Sequence, residues 1–137
     1  MSKRKRNTLL CIIALVAGCL LYILFRPSTY IGSMLGRVAY VTTIRQICAN
    51  YANDSYKFYI PDFLWAFSLG CGFIAINNPR KPGIILCAFF AFLCGVTWEL
   101  LQHFNVLSGT GDIHDVIMYF FASAICIIIN LKETKKK

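Results

Sequence analysis

Between Thr97 and Phe120 the chain reads TWELLQHFNVLSGTGDIHDVIMYF, and this segment holds most of the groups that could do chemistry. Glu99, Gln102 and His103 stand at i, i+3 and i+4, which places them on one face of a helix. Gly109-Thr110-Gly111 supplies a turn, after which Asp112 can cap the next helix and Asp115 follows within its first turn. A fourth carboxylate, Asp62, opens an earlier apolar stretch. Carboxyl groups brought together can receive a cationic headgroup, exchange a proton or act as general acid and base. Glu99, His103, Asp112 and Asp115 also have the atoms for a metal, yet no second histidine at metalloprotease spacing accompanies them, so no metal and no cofactor is expected. The plainer roles are a cap for Asp112, a favourable position on the helix dipole for Asp115, and polar flanks for His103 and His114.

The elements that must position these groups follow from composition. Of 137 residues, 58% are hydrophobic and 15% charged, more apolar surface than a small water-soluble globule can cover. A soluble enzyme is thereby excluded, and an all-α integral membrane protein is expected, one domain over residues 1–137. Its spans are placed near 9–25, 59–76, 84–104 and 113–131. Pro61 and Asp62 fall in the opening turn of the second span, where proline costs a helix least. The fourth is interrupted only by His114 and Asp115, and Tyr59, Trp65, Trp98 and Tyr119 stand as boundary aromatics. Small residues before Cys19 also resemble a lipoprotein cleavage signal, but the apolar run continues through Phe25, which favours a retained helix.

Charge orients the spans. Lys3 to Arg6, Arg80, Lys81, Lys132 and Lys135 to Lys137 belong to one side by the positive-inside rule, which puts both termini in the cytoplasm of an inner-membrane protein. Ten cations and Glu133 leave that side at +9, and the other side, with Arg26, Arg37, Arg45, Lys57 and five acids, at −1, together the +8 of the whole chain. Because the basic blocks flank membrane spans, the lipid bilayer is the expected partner and nucleic acid is not. The outer loop 26–58 is long enough to hold structure, and Ile31, Met34, Leu35, Val38, Val41 and Cys48 share a helical face suited to the membrane surface. Asn53-Asp54-Ser55 would end that surface helix. Six of the seven cysteines lie inside apolar runs and read as small packing residues.

Counting about 1.5 Å per residue, Glu99 sits about 22 Å along the third span, below the outer surface of a ~30 Å hydrocarbon core. There it needs a partner, a proton or water, and Gln102, His103 or the Thr110 hydroxyl could serve. With Asp62, Asp112 and Asp115 entering from the outer ends of their own helices, the four carboxylates are expected to converge on one outward-facing site.

Glu99-Leu100-Leu101-Gln102, then Gly109-Thr110-Gly111, then Asp112-Ile113-His114-Asp115, together with Pro61-Asp62 opening a span that reaches Leu69-Gly70, resemble the VanZ-like family of small bacterial membrane proteins. That family is named for a protein associated with teicoplanin resistance. Its loop carries an Arg before the aspartates where this chain has none, and it favours Asn and Gly where Tyr119 and Ala122 stand here. The resemblance implies a four-span membrane fold of unassigned activity, acting at the cell envelope, with Asp62, Glu99, Gln102, Asp112 and Asp115 as binding residues for an envelope lipid or cell-wall-related molecule. Two alternatives stand beside this. One is an enzyme acting on lipid or cell-wall precursors with Glu99, Asp112 or Asp115 as catalytic group, and the other is a structural subunit whose polar cluster locks helices three and four.

Overall fold

The computed structural model describes residues 1–25, 42–44, 46–47, 54–107, 109 and 111–134, with no strand among them. Four helices carry the chain: α1, Lys3–Phe25; α2, Asp54–Asn77; α3, Lys81–His103; and α4, Ile113–Thr134. Each is long and apolar enough to cross a membrane, so the protein is an all-α, four-span membrane protein. The helices outrun the apolar stretches that announce them: α1 begins six residues before Leu9, and α2 begins at Asp54, where a turn was expected. Apolarity marks what the bilayer must cover, whereas the backbone ladder continues through polar turns that water can solvate.

This extension corrects the reading of Pro61. The proline lies inside α2, two turns beyond its start, and its buried ring removes one i→i−4 hydrogen bond from the ladder. Neighbouring helices hold it there, with Gly18 of α1 approaching Pro61, Leu64 and Trp65. The expected surface helix built on Ile31, Met34, Leu35, Val38, Val41 and Cys48 lies outside the described residues, although residues 42–44 and 46–47 are helical.

The helices alternate in direction, with α2 packed against each of the other three and α3 against α4. Lipid tails are as apolar as leucine, so what draws the spans together is close packing and polar contact. The buried faces accordingly include many small residues, Ala14 and Gly18 on α1, Ala66 and Cys71 on α2, Ala88 and Ala91 on α3, Ala122 and Cys126 on α4, beside the larger Phe67, Ile74, Ile84 and Tyr119. Two of the cysteines do pack as small buried side chains, Cys71 and Cys126, fully buried with sulfurs 3.8 Å apart across α2 and α4, whereas Cys19 and Cys94 are exposed. Large side chains such as Ile12, Phe89, Trp98 and Ile128 point outward, where hydrocarbon receives them.

One end of the bundle is pinned by polar groups. Asn7 and Asn130, both fully buried, exchange amide hydrogen bonds of 2.8 and 3.1 Å between α1 and α4. Asn7 donates its second N–H to the Lys3 carbonyl, Asn130 donates to the Cys126 carbonyl, and Arg6 donates to Asn130 Oδ1 at 2.8 Å. Lys3 Nζ donates to the Pro79 carbonyl between α2 and α3. The start of α1, the α2–α3 connection and the end of α4 are thereby gathered at the basic end, and the carboxylates fall at the other.

Candidate functional site

Glu99 stands four residues after Gly95 on the inner face of α3 and is 6% exposed. Its two oxygens are both engaged: Oε1 accepts from the Tyr119 hydroxyl at 2.9 Å, and Oε2 accepts from the Asp112 backbone N–H at 3.0 Å. The expected partners were Gln102, His103 and Thr110. The acid is held by a phenol one to two turns into α4 and by the amide that begins α4, because those donors come from the helix packed against its face. Thr110 lies outside the described residues.

Two local features let this happen. A Cβ on Gly95 would stand 2.4 Å from the Tyr119 ring, so only glycine lets the ring lie flat on α3 with its hydroxyl one turn further out, at Glu99. At the turn, a Cβ on Gly111 would stand 2.8 Å from the Glu99 carbonyl oxygen, so the chain passes directly over the end of α3 and delivers the Asp112 N–H to the carboxylate. Gln102 is placed under the same turn, its amide against Gly109.

Tyr119 is the residue that sequence reasoning misplaced. Read as a boundary aromatic, it is 5% exposed and sits at the centre of the site. The signal was the spacing Tyr119, Ala122, Ser123, Cys126, Asn130, a buried stripe of period 3.6 in which Tyr is the one side chain able to reach a buried acid. The carboxyls of Asp62, Glu99 and Asp115, one from each of α2, α3 and α4, all stand close enough to the Tyr119 phenol to act on it electrostatically. Asp62 and Asp115 are half-buried.

The fourth carboxylate does not join them. Asp112 Oδ1 turns back to accept the His114 backbone N–H at 2.9 Å, the N-cap contact, and meets His114 Nδ1 at 2.7 Å. These contacts, the backbone hydrogen bond first and the imidazole second, lower the Asp112 carboxyl below its ordinary value. His114 also packs its ring 5.5 Å from that of Tyr59 on α2. The site thus has a buried pair, Glu99 and Tyr119, flanked by half-buried Asp62 and Asp115, with Asp112, His114 and Tyr59 further out. Trp65 and Trp98 are exposed on the outside of the bundle.

Among the described residues no three His, Cys, Asp or Glu side chains are grouped so as to hold a metal ion. Among the described residues, shallow open hollows lie elsewhere, along Arg4, Lys5, Thr8, Leu9 and Ile12 of α1 and along Phe73, Asn77, Cys87, Phe90 and Cys94 between α2 and α3. No protein-family model, curated protein or solved structure matches this chain.

Proposed function

We propose that this chain is a VanZ-like protein of the inner membrane that works at the cell envelope, receiving a cationic group of an envelope or cell-wall-directed molecule at the outward-facing carboxylates. The observation that carries this reading is the buried Glu99–Tyr119 pair, joined at 2.9 Å, with Asp62 and Asp115 near it at the end of the bundle opposite the lysines and arginines. Ionisable groups at membrane depth are costly and so are retained for use. Glu99, held by Tyr119 and the Asp112 amide, organises the site, and Asp62 and Asp115, half-buried beside it, complete the set of carboxylates that meets the incoming cation. The gathering of Lys3 to Arg6, Arg80, Lys81 and Lys132 at the other end supports cytoplasmic termini.

A second reading has a specific observation in its favour: the contacts of Glu99 to Tyr119 and to the Asp112 amide tie α3 to α4, as a purely structural cluster would. Teicoplanin susceptibility of cells expressing the chain separates the two. Protection that disappears in Asp62→Asn and Asp115→Asn variants, at unchanged accumulation in the membrane, supports the envelope role. Equal protection by parent and variants, or none by the parent, overturns it. Failure of the variants to accumulate or assemble favours the structural role.

A further inference from the structure

The four consecutive cations Lys3, Arg4, Lys5 and Arg6 look uniform in sequence, but the fold divides them. At about 100° per residue, Lys3, Arg6, Asn7, Leu10, Ala14 and Gly18 share the face of α1 that packs on the bundle. On that face Lys3 is committed to the Pro79 carbonyl and Arg6 to Asn130. Arg4, Lys5, Thr8, Leu9 and Ile12 share the opposite face and line a shallow, open hollow along α1. The side chains of Arg4 and Lys5 are exposed and engage no carboxylate among the described residues; only the backbone of each is used, by Thr8 and Ser2.

From this division we infer a site for one anionic phospholipid on the outer face of α1, distinct from the carboxylate site at the other end of the bundle. Its occupant follows from the order of the lining residues along the helix axis. Two cations stand where the span leaves the hydrocarbon, which suits a phosphodiester. Leu9 and Ile12 follow over the next ~12 Å of helix rise, apolar and exposed by 48% and 53%, which suits the first part of an acyl chain and nothing soluble. Arg4 supplies a planar fork for the phosphate oxygens and Lys5 a second, mobile charge. The inward pair cannot take this role, since the folded bundle already uses both.

The test is native mass spectrometry of the full-length chain in detergent, with dioleoyl phosphatidylglycerol and dioleoyl phosphatidylcholine offered as an equimolar pair. One retained phosphatidylglycerol is expected. An Arg4→Gln, Lys5→Gln double variant should lose that retention by about twenty-five-fold, roughly fivefold for each cation. An Arg80→Gln, Lys132→Gln variant, which removes the same charge at the same end of the bundle, should retain it. Glycerol phosphate, the headgroup without chains, should not compete at equal concentration. Equal retention of both lipids, equal losses in the two double variants, or competition by glycerol phosphate would each overturn the site. The first would show an apolar groove without headgroup recognition, the second a diffuse charge field, and the third an anion site in place of a lipid site.

Discussion

Glu99 is buried in a span, yet neither of its oxygens is idle, and the donors are a phenol and a backbone amide. Removing the phenol hydroxyl by Tyr119→Phe leaves Oε1 without its donor in a place water does not reach. The expected cost is about 1–3 kcal/mol of stability, measurable by unfolding in mixed micelles. Asp112 titrates with a sign that can be worked out. Its carboxyl is lowered in the folded protein from an ordinary value of 3.8, so its contribution is complete above that value and is lost as pH falls through the lower, folded one. Hydrogen-exchange protection at the start of α4 should therefore be flat across neutral pH and fall only in strong acid. In Asp112→Asn, which keeps the capping oxygen but has no charge to lose, the acid-induced fall should be absent.

At the scale of elements, the spans are joined by the absence of side chains as much as by their presence. Gly95→Ala would drive a methyl group into the Tyr119 ring, and should destabilise the α3–α4 contact by about 1–3 kcal/mol. Because the same ring carries the hydroxyl to Glu99, Gly95→Ala and Tyr119→Phe should combine to less than the sum of their separate effects in a double-mutant cycle. At the opposite end, Asn7→Leu removes the α1 half of the amide exchange with Asn130, which keeps Arg6 and the Cys126 carbonyl as partners. The loss should be modest, about 0.6–1.7 kcal/mol, and should appear as looser association of α1 with the rest of the bundle.

For the whole molecule, charge separates the two ends. Cysteines introduced at Ser2 and Lys81, in a Cys48→Ser background, should react with a membrane-impermeant maleimide only after cells are permeabilised. A cysteine at Val106, 66% exposed beside the carboxylate end, should react in intact cells. The reverse pattern would turn the bundle over and remove the envelope-facing role. The tilt of each span matters less to this experiment than which end of the bundle faces out, which the labelling reads directly.

Composition and apolar run length alone determined that this is a four-helix membrane protein, because burying a hydrogen-bonded backbone in hydrocarbon leaves few solutions. The acids at 62, 99 and 115 were legible for the same reason: charges inside apolar runs stand out. Helix ends were not, since polar turns at Lys3–Asn7 and at 54–58 extend the ladder without any apolar signal. Nor was the partner of Glu99. Tyr119, Gly95 and the Asp112 amide lie 20, 4 and 13 positions from it, and only the packing of α4 on α3 brings them to one carboxylate. The division of the Lys3–Arg6 run was hidden too, because four adjacent cations are equivalent until a neighbouring helix claims one face. Solvent preference is carried residue by residue in the chain, whereas pairing between helices depends on register and rotation, which tertiary packing decides.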